Sequence, residues 1–301
     1  MSIPTLQGLQ TALSGLLAEQ QAIDVTGHNI TNANTEGYSR QRAVLQTNEP
    51  LRIAALSSVT GEGGQLGTGV SVATYTRIRN TYLDAEYRNQ STALGAAGTQ
   101  AEELQQAQAA LGEPSSSGLA SQLSAFWSAW GELAESPSEA AKIGVVSVAT
   151  ELTGTLHQLA SQLQSVEGQA AAQYAALTGP SGEVQSAAAQ IAQLNHQIKL
   201  SLQAHQQPND LEDRRDLLID KLSTLASVTV TKEADGTDTV AFGNAAVPLV
   251  EGSTVNWPQA LTAAAGGQLG ALLELTSPAG ALASYQTALN EVAATLAGTV
   301  N

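Results

Sequence analysis

The first thirty residues set apolar side chains at Leu6, Leu9, Leu13, Leu16, Ile23 and Ile30, with Gln20 and Gly27 the only breaks in a rhythm of threes and fours. That spacing predicts a long helix with a narrow seam. A narrow seam pairs with another helix, whereas an ordinary amphipathic surface helix is the plainer alternative. The pattern then changes. Thr26 to Gln41, TGHNITNANTEGYSRQ, is polar and turn-forming. Glu62 to Asn80 alternates β-branched with small residues and predicts short strands or a β-ribbon. Its glycines, Gly61, Gly63, Gly64, Gly67 and Gly69, fit no phosphate-binding frame and are read as turn glycines.

From Thr81 the helical period returns and runs to about Gly112, where EPSSSG (Glu113 to Gly118) interrupts it. The next helix carries Leu119, Leu123, Phe126, Trp130 and Leu133 on one stripe, with Trp127 beside Phe126 as the expected densest part of the core. SPSE predicts a capped start, with Ser136 as cap, Pro137 at the first helical position and Glu139 closing the box. Leu152, Leu156, Leu159, Leu163, Val166 and Ala170 form the clearest seam, and Val184, Ala187, Ile191, Leu194 and Ile198 follow after a TGPSG turn. Two seams across a short turn predict an antiparallel helical hairpin. Asn209 is expected to cap a further helix, with Glu212 in the reciprocal position and Leu211, Leu218, Leu222 and Leu225 as its buried edge.

Residues 227–243 alternate around Asp235-Gly236, a hairpin signal, and Leu282, Tyr285, Leu289, Val292 and Leu296 return the chain to helix. The predicted fold is mainly α: an elongated helical bundle or coiled coil, with a β-ribbon after the N-terminal helix and a β-hairpin near 228–243. The expected units are 1–75 (helix and ribbon), 76–227 (helical bundle), 228–260 (hairpin and loop) and 261–301 (a helix returning to the bundle).

Composition narrows the chemistry. The chain has 301 residues, 43% hydrophobic but only 4% aromatic, so its core is aliphatic. Net charge is −15, with no basic block to displace counterions, which argues against nucleic acid as a partner. No cysteine is present, so disulfides and thiolate sites are excluded. No apolar run of about 20 residues spans a bilayer, and the N-terminus lacks the basic region of a secretory signal. Membrane insertion is therefore not expected.

Candidate chemistry is sparse. His28, His157, His196 and His205 show no metal-ligand spacing and are expected on solvated faces. Asp213, Asp216 and Asp220 share a helix face that could suggest a divalent site. Arg214, Arg215 and Lys221 are interleaved, however, and the face is read as solvated and internally paired. No G-x-S-x-G motif occurs, and no cofactor or catalytic residue is expected.

GHNITNANTEGYSRQ resembles the N-terminal signature of bacterial flagellar rod, hook and hook-associated proteins, with Asn29, Ile30, Asn32, Asn34, Thr35, Gly37, Tyr38 and Arg40 in its motif and turn. GTGVSVATYTRIRNTYLDAEYR resembles the common continuation of that signature. LGEPSSSGLASQLSAFWSAWGELAESPSEAA and NDLEDRRDLLIDKLSTLASVTV are similar to the hook-associated branch that joins hook to filament.

The resemblance implies a structural subunit. It would be exported through the flagellar type III channel without a cleaved signal and become part of the extracellular flagellum. It implies assembly through the Leu6, Leu9, Leu13, Leu16, Ile23 and Ile30 seam in the inner tube wall. Implied partners are further copies of itself, the hook protein, a second hook-associated junction protein and an export chaperone. Asn32 or Asn34 would end the assembly helix, and Gly37 would permit the reversal into extended chain. Members of the family run on past this length to a terminal helix that partners the first, so a C-terminal remainder is expected to be missing. Another flagellar axial protein, a soluble coiled-coil adaptor and a flagellum-associated cell-wall hydrolase are the alternative readings.

Overall fold

A computed structural model describes residues 3–53, 64–112, 115 and 118–300. The chain begins with α1 (Ile3–Thr31), followed by β1 (Gln41–Thr47), β2 (Leu51–Ile53), β3 (Gly64–Leu66) and β4 (Val70–Arg77). β1 and β4 pair antiparallel, with Gln41 opposite Arg77, Thr47 opposite Val70 and a bulge between Val44 and Leu45. β2 and β3 form a separate small hairpin. Glu113, Pro114, Ser116 and Ser117 of the expected interruption, and the turn glycines Gly61 and Gly63, lie outside the described residues.

α1 lies along the β1–β4 ribbon on its small-residue face. Thr11, Ser14, Ala18, Ala22, Val25 and Asn29, spaced by three and four, are among its buried or half-buried positions. Short side chains let the ribbon approach closely, and Ser14 Oγ accepts from the Val70 N–H at 3.3 Å. The leucine–isoleucine seam is on the other side.

The bundle comprises α2 (Thr81–Leu111), α3 (Leu119–Glu135), α4 (Glu139–Thr178), α5 (Glu183–Gln203), α6 (Asn209–Leu225), α7 (Gly267–Leu275) and α8 (Ala281–Val300). α2 crosses α6 at Gly95, where any Cβ would run into the Thr224 carbonyl. A four-stranded antiparallel sheet is inserted between α6 and α7: β5 (Val228–Lys232), β6 (Asp238–Phe242), β7 (Val250–Glu251) and β8 (Thr254–Val255). The expected hairpin is therefore half of a larger sheet, and the last segment, expected over 261–301 as one helix, holds two helices after a short 3₁₀ turn (Ala263–Ala265) among its described residues.

The largest core lies between α5, α6 and this sheet, where Val184, Ile191, Ile219, Leu222, Val240 and Phe242 pack together. The expected α4–α5 hairpin is not how those seams are used. Leu159, Leu163 and Val166 of α4 instead meet Ala107 of α2, Leu275 of α7 and Leu282 and Leu289 of α8. Only Tyr174 and Leu177, near the end of α4, reach the α5–α6 core. Phe126 is buried with Val145 and Leu152, but Trp127 is 50% exposed, so the aromatic cluster is a satellite rather than the densest packing. α3 packs on α4, with Leu119 also reaching the α2–α4–α8 cluster and Leu296 of α8 beside it, and Trp127 stays half exposed on its outer face.

Two caps differ from expectation. Ser138, not Ser136, caps α4, accepting from the Ala141 N–H at 3.1 Å. Pro137 biases the residue before it towards extended backbone, so Ser136 ends α3 instead of starting α4. Asn209 is the first residue of α6 rather than its cap, because its side chain is drawn to Gln41 Oε1 and the Tyr75 carbonyl.

Candidate functional site

Two surfaces carry the sequence-predicted residues: the seam of α1 and the turn that leaves it. Leu6, Leu9, Leu13, Leu16, Ile23 and Ile30 are all more than half exposed, from 53% at Leu13 to 71% at Ile30. Together with Leu17, this makes an apolar stripe, broken at Gln20 and Gly27, along a helix of 29 residues. Exposed apolar area of that extent is characteristic of an interaction surface, since isolated exposed leucines are normal but a contiguous stripe is not.

The exit turn is tightly built. Asn32 receives both ends of the helix stop: its N–H and its Nδ2 donate to the His28 carbonyl, and its carbonyl and Oδ1 accept from Thr35. Gly37 reverses the chain at φ 78°, against Leu217 of α6. A side chain there would be strained by the left-handed backbone and would collide with Leu217. Asn29 then ties the returning strand to the helix. Its Oδ1 accepts from the Tyr38 hydroxyl and the Gln41 N–H, both at 2.8 Å, and its Nδ2 donates to the Gln41 carbonyl. Asn34 and Arg40 are exposed, and the Arg40 carbonyl accepts from the Ile78 N–H.

His28 and Tyr38 stack edge to face, with Nδ1 3.0 Å from the hydroxyl, and His28 Nε2 is 3.9 Å from Asp210. The grouping invites an acid–base reading, but the recess beside it holds only about 130 Å³. At about 30 Å³ per water, that is room for a few waters. Burial, then the nearby Asp210 and Asp213 charges, push the Tyr38 hydroxyl above its ordinary value, which keeps it a protonated donor to Asn29. His157, His196 and His205 are exposed and lie on separate elements or turns. Among the described residues no group of three or more His, Asp or Glu is placed to hold a metal ion, and no helix is long and apolar enough to cross a membrane.

The acidic face of α6 overturns the solvated reading. Asp213 and Asp216 are buried, and their partners come from outside the helix. Arg77, the last residue of β4, reaches Glu212 and Asp213 at 2.8 Å and Asp216 at 2.7 Å. Arg79 pairs with Asp84, Asp216 and Asp220, and Arg88 of α2 pairs with Asp220 at 2.7 Å. Burial alone would lower the Arg77 guanidinium, but the Asp213 hydrogen bond and the Asp216 charge override it and raise it. Burial likewise opposes ionisation of Asp216, yet Arg79 and Arg77 hold its carboxyl below the usual range.

Arg215 turns the other way, donating to Asn195 Oδ1 and the Gly236 carbonyl and approaching Asp238 at 3.0 Å. Arg214 and Lys221 stay exposed. In the sequence this cluster shows only as arginines two apart at the end of a strand and carboxylates at helical spacing on α6.

A long helix with an exposed seam, folded onto an antiparallel ribbon and clamped to a helical bundle, defines the architecture. Residues 9–38 match the family of flagella basal body rod proteins, which puts this N-terminal region in the flagellar axial class. More than half of the chain, residues 104–266, matches the helical domain of the flagellar hook-associated protein FlgK, and the chain belongs to the FlgK family.

It is 34% identical over 246 residues to flagellar hook-associated protein 1 of Bacillus subtilis, covering 81% of this chain and 48% of that one. It is 31% identical over 249 residues to the protein of the same name from Salmonella typhimurium, covering 81% and 42%. The chain therefore spans about half the length of the curated relatives it matches. The flagellar hook junction protein FlgK of Burkholderia pseudomallei shares the fold, with a TM-score of 0.54 at 24% identity over 64% of this chain and 38% of that one.

Proposed function

We propose that this chain is a structural subunit of the bacterial flagellum that joins hook to filament, with binding surfaces and no reaction of its own. The observation that carries this reading is the α1 stripe, with Leu6 and Leu9 each 66% exposed on a helix whose opposite face is already used by the ribbon. A lone helix is marginal in water, and a seam of this spacing is completed by another helix. Neighbouring copies in a tube supply such helices, so self-assembly is the primary partnership. The hook protein and a second hook-associated protein are the partners at the two ends of the junction, and an export chaperone is the partner before assembly. The subunit works outside the cell and leaves it through the flagellar export channel without a cleaved signal.

The test replaces Leu9, Leu13 and Leu16 by Gln in the chromosomal gene of the source bacterium. Cells with hooks but no attached filaments are the expected outcome, with the variant still found in the medium. Normal filaments on those cells would overturn the proposal.

A further inference from the structure

The four-stranded sheet ends on one side at β5, which pairs only with β6. Bonds at the two ends of this strand fix which way its main chain points. The Gly243 N–H donates to the Ser227 carbonyl at 2.7 Å, and the Glu233 N–H donates to the Thr237 carbonyl at 2.9 Å. The alternation of an antiparallel ladder then turns Thr229 and Thr231 towards β6, and Val228, Val230 and Lys232 away from it. Among the described residues, nothing accepts from those outward N–H groups or donates to those carbonyls. Beside this edge is a recess of about 380 Å³, with Val228, Thr229, Val230 and Lys232 along one side. Its other side is one face of α2, Thr81, Asp84, Ala85, Arg88 and Asn89 at helical spacing, and Asp216 of α6 also lines it. The charge left uncommitted there is positive. Asp84 is held by Arg79 at 2.8 Å and Asp216 by Arg77 at 2.7 Å. Arg88 gives its Nε to Asp220 and keeps Nη2 without a hydrogen bond. Lys232 is exposed, and Asp238, opposite it in the ladder, is already paired with Arg215 at 3.0 Å.

We propose that this recess is a docking groove for one extended, acidic peptide segment of another protein, which joins the sheet as a strand beside β5. The main-chain groups of Val228, Val230 and Lys232 hold the segment, as an open sheet edge holds an added strand. An acidic side chain set across from Lys232 fixes its register, since opposite charges facing each other on neighbouring strands attract. A free edge invites unwanted pairing, and charge or a covering element is the usual defence. Lys232 and α2 supply both, and they also select the occupant. α2 stands where a second sheet would have to lie, so another copy of this chain is kept from bringing in its own β5 edge. A single strand, about 5 Å from its neighbour, needs no such room. The inference rests on the fold alone and is independent of the hook–filament reading.

The probe is the synthetic peptide acetyl-Asp-Thr-Val-Thr-Val-amide, whose aspartate falls opposite Lys232 in an antiparallel pairing with β5. Hydrogen exchange followed by NMR reads the edge directly. In the free protein the Val230 and Lys232 amides should exchange about tenfold faster than those of Thr229 and Thr231, which are bonded to β6. Peptide at about millimolar concentration should slow Val230 and Lys232 and leave Thr229 and Thr231 unchanged. Val230→Pro removes an outward donor without touching a bond to β6, a position where an edge strand accepts proline. Read at Lys232, it should weaken binding about fivefold, the worth of one main-chain hydrogen bond. Lys232→Glu should abolish binding of this peptide and restore it for the peptide with lysine in place of aspartate. No slowing by the peptide overturns the proposal, and so does unchanged binding in both variants. Protection of the edge that rises with protein concentration in the absence of peptide also overturns it, because a second copy would then be the occupant.

Discussion

Arg77 Nη1 donates to Asp216 Oδ2 at 2.7 Å across 139 residues of sequence, and the same nitrogen reaches Asp213 Oδ1 at 2.8 Å. This pairing is one of the ties between the end of the β1–β4 ribbon and α6. A buried ion pair is expensive to leave half-made, because the surviving charge has no water to turn to. Asp216→Asn should therefore lower stability by about 3 kcal/mol at neutral pH, measured by urea unfolding.

The pH dependence of that contribution follows from the groups around Asp216. Arg77 and Arg79 face it from the end of the ribbon, Arg88 from α2 and Arg215 from α6 itself, with Lys232 of β5 lining the same recess, while Asp84, Glu212, Asp213, Asp220 and Asp238 are the nearby acids. Its carboxyl is depressed in the folded chain, so its stabilisation is fully present above the unfolded value, about pH 4. It is lost as pH falls through the lower, folded value. Arg77 and Arg79, whose guanidiniums are raised, keep their charge across this range. Stability of the parent protein should fall below about pH 4, and Asp216→Asn should flatten that fall. An unchanged acid limb in the variant would assign the fall to other carboxylates.

Gly95 and Gly98 sit one turn apart on α2 and should respond in opposite directions to alanine. A Cβ at Gly95 collides with the Thr224 carbonyl and would push α2 off α6, whereas nothing lies within 4 Å of a Cβ at Gly98. Gly95→Ala should cost about 1–3 kcal/mol by overpacking. Gly98→Ala should stabilise by about 0.5–1 kcal/mol, because alanine loses less backbone freedom in a helix. Thermal unfolding of the two variants side by side checks both signs.

Glu103 is buried on α2 with Oε2 making no hydrogen bond, and burial, then the neighbouring Glu102, push its carboxyl upward. A raised carboxyl favours the neutral form in the folded chain. Its contribution is thus most favourable in acid and is lost as pH rises through the folded value. Glu103→Met keeps the length without a charge to desolvate. It should gain about 1 kcal/mol at pH 7 and little below about pH 4, as seen by chemical denaturation at the two pH values.

The elements of this fold were legible in the sequence wherever a local period set them: α1, the stripe of α4, and the hairpin around Asp235-Gly236. What was not legible was which neighbour each face meets. Leu159 and Val184 both belong to seams legible in the sequence, but long-range packing sends one to α2 and α8 and the other to α6 and the sheet. The partners of the acidic face of α6 are hidden for the same reason. Arg214, Arg215 and Lys221 lie close in sequence, yet the helix points Arg214 and Lys221 to solvent and Arg215 towards Asp238, while Arg77 and Arg79 arrive from 130 or more residues away. At the exit turn, Asn32 and Gly37 act through local backbone geometry, which the residue types alone suggest. The bonds from Asn29 to Tyr38 and Gln41 need the ribbon in place.

On the proposed function, the α1 stripe would serve assembly while contributing little to the fold of the isolated chain. Leu9 and Leu16 are 66% and 65% exposed and lie opposite the face that the ribbon covers, so their removal costs the isolated chain little. Leu9→Gln and Leu16→Gln together should shift its unfolding free energy by less than about 0.5 kcal/mol, the usual range for exposed sites. Ala18, only 3% exposed on the ribbon side, is the control. Ala18→Leu should overpack the α1–ribbon contact and destabilise it by about 1–3 kcal/mol. If the stripe works in assembly, sedimentation should show the Leu9/Leu16 variant losing self-association while its unfolding curve overlays the parent's. A variant that unfolds earlier and associates normally would make the stripe part of the monomer's own structure.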